Sequence, residues 1–459
     1  MTEKNDMMEK IVALAKRRGF IFPGSEIYGG LAGTFDYGPL GLAIKKNIER
    51  VWWKQFVDGR TDMYGIEASL ISSAKIWEAS GHTSTFNDPL VEDIKTKKRY
   101  RADHLLEDAG YDAEGLSLEA LAAKLKECDI KSPEGNSISE PKVFNLLFPV
   151  YMGAVANDES LAYLRGETAQ GMFTNFKNIL DCFSPKLPFG IAQIGKSFRN
   201  EIAPRDYIFR VRELEIMEFE YFIQADEWQA QFEYWRSEYH TFFWSLGFTG
   251  DDYKEVELDE HDRAHYSKRT MDFYFKYPFG FKEIGGIAYR TDYDLKNHME
   301  KSGTDMRYLD PVTNEKAIPH VIEPTFGLGR FVLAVLAKGY TEDEMNGEVR
   351  TYLKLPVHLA PYRAAVSPLL KNKPQLVEKA RVVFHDLKKQ FGNIAWDDNG
   401  NVGKRYRRQD EIGTPYCIVI DFDTLGEENP EHRDTVTVRH RDTGAQERVA
   451  ISELGAYLG

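Results

Sequence analysis

One stretch limits what this chain can become. Residues Ile191 to Ile223 read IAQIGKSFRNEIAPRDYIFRVRELEIMEFEYFI, two runs of mixed apolar and charged residues joined by Ala203-Pro204-Arg205-Asp206. Strand side chains alternate faces with a period of two, so Phe209, Val211, Met217, Phe219, Tyr221 and Ile223 are expected on one apolar face. Arg210, Arg212, Leu214, Ile216, Glu218 and Glu220 fall on the other, and Glu213 and Glu215 interrupt the alternation. Arg199 and Glu201 share a parity on the preceding run, and Pro204 cannot donate to a ladder, so a turn is expected between the runs. Such a hairpin presents guanidinium groups and carboxylates together, which is costly unless something pairs with them. Arginine's planar fork of donors suits phosphate oxygens, so one reading is a nucleoside triphosphate site. The other is a solvated antiparallel edge laced with surface ion pairs.

At 459 residues, 42% hydrophobic and 29% charged, the chain has the make-up of a soluble protein of two or three domains. No apolar run is long enough to span a membrane, and the start MTEKNDMMEK lacks the pattern of a secretion signal, so a cytoplasmic protein with no membrane partner is expected. Cys128, Cys182 and Cys417 lie far apart without a C-x-x-C pair, so neither a disulfide framework nor a thiolate metal site is indicated. A net charge of -13 argues against indiscriminate nucleic-acid binding, so any RNA contact must be local. Lys97-Lys98-Arg99-Tyr100-Arg101 and Lys404-Arg405-Tyr406-Arg407-Arg408 are each either a solvated face or a phosphate-contacting patch.

Along the chain, Met7, Ile11, Leu14 and Ala15 predict a helix over residues 6 to 18, stopped by Gly19. Gly24 to Gly41 is rich in glycine and aromatics, but without a P-loop spacing tight packing is the better expectation than a ligand cradle. A helix from about Pro39 carries Leu42, Ile44, Ile48, Val51, Trp52 and Phe56 at helical spacing, an apolar face for the core or for a second subunit. Ile66 to Pro141 is more polar, with a helix over Leu116 to Cys128, and reads as an inserted module. Leu164 to Gly171 either lines a pocket or caps a helix, and an aromatic helix between Ala225 and Phe248 is core. Gly285-Gly286 permits close backbone approach beside Glu283, Arg290 and Asp292. His320 to Leu336 predicts a strand, a turn, a glycine pair and an apolar helix with Arg330 at its start, an anion site by helix dipole and charge. After the charged segment Gly339 to Arg350, a separate α/β domain is expected, with a strand at Val357 to Leu359, a helix over Pro374 to Phe391, and strands at Cys417 to Asp421 and Thr435 to Arg441.

In this order, three segments resemble the signature motifs of class II aminoacyl-tRNA synthetases: DYGPLGLAIKKNIERVWW motif 1, FRNEIAPRDYIFRVRELEIME motif 2 and EPTFGLGR motif 3. The likeness extends through RGETAQG, GGIAYRTDYDL and VGKRYRRQDEIGTPYCIVID to the homodimeric glycyl type, over nearly the whole chain. It implies an α+β fold. Residues 1–340 would form a catalytic domain with a six-stranded antiparallel sheet flanked by helices, holding the inserted module at about 66–141, and residues 341–459 an α/β anticodon-binding domain. Motif 1 would lie at the interface of a homodimer. The implied activity is that of a ligase: glycine and ATP, with Mg2+, give glycyl-adenylate and pyrophosphate, and the 3' end of tRNA-Gly then accepts the glycyl group.

The same resemblance distributes roles. Arg199 and Arg330 would be catalytic, Arg199 at the α-phosphate, with Arg210 and Arg330 on the outer phosphates, Arg212 nearby and Glu201 on the adenine amino group. Asn200, Phe209, Val211, Glu213, Leu214, Ile284, Gly327, Leu328 and Gly329 would complete the ATP site, and Glu283 would face ATP through magnesium. Glu167, Glu218, Glu323 and Thr325 would surround glycine, lined by Leu214, Glu215, Ile216, Met217, Pro324, Phe326 and Gly327 and approached by Arg101 from the module. The chemistry suits these residues, because a carboxylate nucleophile is already ionised and needs positioning and charge neutralisation rather than a general base. Glycine has no side chain, so selection must come from gripping its ammonium group and leaving no room at the α-carbon.

Several positions depart from the family pattern. Leu214 stands where a phenylalanine usually stacks on adenine, Thr325 where serine is usual, and Gly166 where proline is common. In the module, where relatives often carry paired cysteines, this chain has Asp93, Thr96 and the SPEG of 132–135, so no zinc is expected. Two competing readings are a synthetase for another amino acid such as threonine or serine, opposed by Glu167, Glu218 and Glu323, and a non-catalytic accessory relative, opposed by the presence of Arg199, Arg210, Arg212 and Arg330.

Overall fold

The computed structural model describes residues 3–113, 116–345, 347–427 and 429–459. The hairpin is its centre. In chain order the strands of the large sheet are β1 (Met63–Gly65), β2 (Phe189–Phe198), β3 (Glu213–Ile223), β4 (Tyr253–Glu257), β5 (Arg269–Tyr277), β6 (Gly280–Thr291) and β7 (His320–Gly327), arranged in space as β4-β5-β6-β7-β3-β2-β1. From β4 to β2 every pairing is antiparallel, the six strands expected, and the short β1 adds a seventh that runs parallel to β2. Because β3 lies between β7 and β2, the reading of a solvated edge falls.

Regular strand begins only at Glu213. Residues 199–212 form a loop closed by a single bridge between Arg205 and Arg210, so Phe209 and Val211 do not continue the face of Met217. Pro204 and the left-handed backbone of Asp206 and Tyr207, φ 59° and 61°, break the ladder there. Beyond Glu213 the alternation holds: Met217, Phe219, Tyr221 and Ile223 enter the main core, while Glu218 and Glu220 point to the other side.

The helices are α1 (Glu3–Arg18), α2 (Pro39–Trp53), α3 (Ala169–Phe183), α4 (Trp228–Ser245), α5 (Tyr293–Ser302), α6 (Leu328–Gly339), α7 (Pro374–Phe391) and α8 (Val402–Glu411). Residues of α1, α2, α4 and α6 share one core with the sheet: Ile44, Ile48 and Trp52 of α2, with Phe56 just after it, are buried, and Trp52 packs 6.1 Å from Phe219 and 5.9 Å from Phe326. Full burial of each such side chain contributes about 1.5–3 kcal/mol, so this face of α2 is spent on the core, and Leu42 stays exposed. On the other face of the sheet, Phe173 and Phe176 of α3 pack against Phe222 and Phe189.

Between β1 and β2 the strands Arg99–Arg101, Asn87–Glu92 and Lys142–Asn145 form a small sheet that shares its own core, including Val91, Leu106 and Leu121, with the helix Leu118–Glu127. Two tight turns meet there over Asp93, which is fully buried. Its Oδ1 accepts the backbone N–H of Lys95 and Thr96, and its Oδ2 accepts from Ser132 Oγ at 2.5 Å and Asn136 Nδ2 at 3.0 Å.

The charged segment after Lys338 is a hairpin of Tyr340–Met345 and Glu348–Leu353, with Asn346 outside the described residues. Val357 to Leu359 is not a strand. It turns, the N–H of Leu359 bonding to Pro356 O at 3.0 Å, because the buried Leu359 is anchored beside Asn47, whose Nδ2 donates to its carbonyl at 3.2 Å. The last sheet holds β8 (Ala364–Pro368), β9 (Ile394–Trp396), β10 (Tyr416–Ile420), β11 (Thr435–His440) and β12 (Gln446–Ala450) in the order β9-β8-β10-β11-β12, with α7 over it. The basic cluster on α8 is partly structural: Arg405 is buried and donates to the Gly400 and Pro368 carbonyls, and Arg408 pairs with Asp397. Among the described residues no helix is long and apolar enough to cross a membrane.

Candidate active site

The loop of residues 199–212, the start of α6 and the glycine-rich segment before α2 enclose a cavity of about 630 Å³. Here the sequence reading needs correction, since Gly24, Leu31, Thr34 and Asp36 line this cavity instead of serving packing alone. Arg199 stands on its wall, its Nε donating to Gly166 O at 3.2 Å and its guanidinium 5.3 Å from the Phe86 ring centre. Arg330 donates to the carbonyl of Glu283 and pairs with its carboxylate, both at 3.0 Å, and lies 4.6 Å from the Phe209 ring. No turn separates β7 from α6, so Arg330 reaches the cavity from the first turn of the helix.

Arg210 lies 3.4 Å from His104 of the module. Glu201 is buried with Oε2 unpaired, an acceptor waiting for a donor. Arg212 donates from Nε and one terminal nitrogen to the carbonyls of Glu201 and Ala32 and ties the loop to the glycine-rich segment.

Beneath the cavity, β3, β6, β7 and α5 bring a second set of charges together. Arg290, fully buried, donates to Glu323 Oε1 at 2.6 Å and bidentately to Asp294 at 2.8 and 2.9 Å, with Tyr266 stacked 3.6 Å from its guanidinium. Gln170 Nε2 bridges Glu167 and Asp294 at 2.9 Å each, and His82 Nε2 lies 3.0 Å from the other Glu167 oxygen. Burial would raise the Glu167 carboxyl, but His82, Arg290 and Gln170 outweigh it and hold the group well below the usual carboxylate range. Glu218 is raised by burial and by Glu167, against which the Thr168 and Thr325 hydroxyls donate to it, Thr325 Oγ1 at 2.6 Å. Three carboxylates are thus fixed in place by their partners, an arrangement whose chemistry suits a small cation.

This geometry gathers Arg199, Glu201, Arg210, Leu214, Glu283 and Arg330 on one cavity, while Glu167, Glu218, Glu323 and Thr325 form a cluster beside it, joined through Arg290 and the Thr168 and Thr325 hydroxyls. Asn200 faces the module through its N–H to Leu146 O, and Val211, Glu213, Glu215, Gly327 and Gly329 line the cavity, Glu213 pairing with Lys196 and Glu215 with Lys45. Ile284, Leu328, Met217 and Phe326 are buried in the main core, so only their backbone faces the site, while Ile216 and Pro324 are buried along β3 and β7. Arg101 pairs with Asp88 and Asp103 and sits among Glu201 and Arg210, not among the three glutamates. Sequence reasoning did not single out His82, Gln170 or Asp294; Arg290, noted in the same run as Glu283 and Asp292, pairs with Asp294, four residues on. The i, i+4 spacing of Arg290 and Asp294 was the available signal.

The description "tRNA synthetase class II core domain (G, H, P, S and T)" matches residues 153–339 and "Anticodon binding domain" residues 363–459. The fold is also that of a Giardia lamblia prolyl-tRNA synthetase solved in complex with prolyl-adenylate, with a TM-score of 0.66 at 16% identity, covering 98% of this chain and 76% of that one. Sheet, motifs and these matches define a class II aminoacyl-tRNA synthetase. Sequence relatives narrow the class. The glycine–tRNA ligase of Geobacillus thermodenitrificans is 47% identical over 470 residues, 100% of this chain and 99% of its own, and that of Bacillus anthracis is 46% identical over 98% of both. That of Deinococcus radiodurans is 44% identical, again over 98% of both. The chain belongs to the glycine–tRNA ligase family.

Proposed function

We propose that this protein activates glycine with ATP to glycyl-adenylate and transfers the glycyl group to the 3' end of tRNA-Gly. The observation that carries the reading is the cluster of Glu167, Glu218 and Glu323 set beside an arginine-lined cavity, which suits an amino acid whose only positive handle is its ammonium group. Arg199 and Arg330 would hold the triphosphate, with Arg210 beside them, and the free acceptor of Glu201 suits the adenine amino group. The amino-acid carboxylate, ionised and held in line, attacks the α-phosphorus; Arg199 offsets the growing charge and pyrophosphate leaves. Thr325, through its bond to Glu218, closes the space a side chain would need.

Glu283 fits a role with magnesium: its side chain is 46% exposed at the cavity and one oxygen pairs with Arg330, leaving the other to face a hard cation. Magnesium there would neutralise phosphate charge. The separate small core of the module supports the division of a catalytic part, 1–340 with an insertion at about 66–141, from a C-terminal part, 341–459, that binds the anticodon. The four hydrogen-bond donors spent on Asp93 support a module that needs no zinc. We also infer a cytoplasmic homodimer formed through the segment of α2, whose exposed Leu42 remains for such a contact.

The test is amino-acid-dependent exchange of labelled pyrophosphate into ATP, with glycine compared against alanine, serine and threonine, with and without Mg2+. Exchange with glycine alone, lost in Arg199→Ala, is the expected result. Exchange with another amino acid, or with none, would overturn the reading.

A further inference from the structure

Glu220 belongs to none of the roles above. It follows Glu218 by two residues on the same face of β3, and the register that sets Glu218 against Thr325 sets Glu220 against Glu323. One oxygen each of Glu218, Glu220 and Glu323 lie within 4.8 Å of one another. The first and last of these have partners: Glu218 accepts from the hydroxyls of Thr168 and Thr325, and Glu323 from Arg290 at 2.6 Å. Glu220 is completely buried, and neither of its oxygens has a hydrogen-bond partner. Arg290 makes no hydrogen bond to it, its three bonds going to Glu323 and Asp294, and the residue opposite Glu220 on β2 is the apolar Ile191.

Carboxylates opposed across an antiparallel pair repel when both are ionised, and a buried charge with no counter-ion neutralises itself by keeping its proton. A neutral carboxyl gains one O–H donor, and its acceptors at hand are the carboxylates of Glu323 and Glu218. A bound metal ion explains the cluster less well, because Glu323 already has the Arg290 guanidinium as its cation and each Glu218 oxygen already accepts a hydroxyl.

We propose that Glu220 is a positioning residue, held as a neutral carboxylic acid that donates its proton to the Glu323 carboxylate and thereby fixes the charge and orientation of the amino-acid pocket. The groups facing it are Glu218 on its own strand, Glu323 on β7, Arg290 on β6 and Asp294 on α5. Burial, with the charge of Glu323 added, pushes the Glu220 carboxyl well above the ordinary range, and burial pushes Glu323 up as well; the proton is placed on Glu220 because Glu323 has the Arg290 guanidinium at 2.6 Å as its counter-ion while Glu220 has no partner. With Glu220 neutral, Glu323 keeps its contact with Arg290; with Glu220 ionised, the two carboxylates would push apart and Glu323 would be drawn off its partner.

The proposal rests on reading this pocket as the glycine site, and its test separates the two. In the full-length protein, Glu220→Ala is expected to raise the glycine KM by more than about tenfold with kcat changed much less, and Glu220→Gln, which keeps a neutral donor, to bring KM back to within about threefold of wild type. Difference infrared spectroscopy of wild type against Glu220→Gln is expected to show the carbonyl stretch of a buried protonated carboxyl in the wild type alone. Should Glu220→Ala fail to fold, Glu220→Gln and the infrared band still decide. Absence of the band, a Glu220→Gln variant impaired in glycine KM beyond about tenfold, or a stoichiometric divalent metal lost from that variant would overturn the proposal. A wild type that shows the band but exchanges no pyrophosphate with glycine would overturn the reading of the pocket and leave the protonated Glu220 standing.

Discussion

His82 Nε2 lies 3.0 Å from Glu167 Oε2, with both side chains buried. Through this contact a residue of the inserted module fastens a carboxylate of the proposed amino-acid site. The imidazole is itself held, its Nδ1 2.8 Å from Ser80 Oγ and its ring packed edge-on against Trp77 and Phe86. Removing it leaves a buried carboxylate oxygen unpaired, at a cost of about 1–3 kcal/mol. His82→Ala is therefore expected to raise the glycine KM roughly 10- to 100-fold in pyrophosphate exchange, with a smaller effect on the KM for ATP.

Thr325 offers Glu218 a hydroxyl and the pocket a methyl group. Thr325→Ser keeps the first and removes the second. Since one methyl in a tight pocket is worth about 1–3 kcal/mol, the preference for glycine over alanine, measured as a ratio of kcat/KM, is expected to fall about tenfold or more. Thr325→Val does the reverse, leaving a Glu218 oxygen without its donor, and is expected to lower kcat/KM for glycine about tenfold or more.

Leu214 lines the cavity at the open end of β3, opposite Ser197 of β2. An aromatic ring there has a purine to stack on, and aromatic pairs add about 0.5–1.5 kcal/mol beyond area burial. Leu214→Phe is expected to tighten ATP binding roughly 2- to 10-fold in equilibrium dialysis; an unchanged or weaker Kd would remove Leu214 from the adenine site.

Asp93 makes the module sensitive to acid. Burial alone would raise its carboxyl, but Ser132, Thr96, Asn136 and Lys95 together hold it well below the usual range. A depressed folded-state pKa contributes stability that is complete above the unfolded value of about 3.9 and is lost as pH falls through the folded one. Limited proteolysis is expected to cut near Asp93 to Asn136 below about pH 4 before the rest of the chain yields, and in Asp93→Ala to do so at neutral pH as well.

How much of this could be read beforehand depended on the range over which each signal acts. The β3 face of Met217, Phe219, Tyr221 and Ile223 and the apolar side of α2 follow from local periodicity, which the sheet obeys. The loop before β3 does not, because Pro204 and two left-handed residues replace the pleat with a turn that alternation alone does not reveal. Similarly, a strand was expected at Val357 to Leu359 where the anchoring of Leu359 beside Asn47, far away in sequence, makes a turn. The glutamates of the pocket were legible through their motifs, but the residues that hold them were not: His82, Gln170 and Asp294 come from separate segments, and only the tertiary fold brings them to Glu167 and Arg290. The glycine-rich segment was misjudged for the same reason, its wall of the cavity being shared with α6 and the loop before β3.

Strand β7 runs into helix α6 without an intervening turn, and this junction acts as a ruler. Glu323 and Thr325 stand on the strand and Arg330 on the first helical turn, so the grips proposed for the amino acid and for the phosphates belong to one unbroken piece of backbone. At about 3.3 Å per residue, the gain or loss of a single residue would slide one grip past the other and turn alternate side chains away from the pocket. The junction is locked from the side as well: the Tyr239 ring is stacked between Phe273 and Phe326, at 4.0 and 4.1 Å, and its hydroxyl donates to Thr325 O where Gly285 leaves room. On the proposed reading, the spacing between the two reactants is therefore set by the covalent geometry of this one segment.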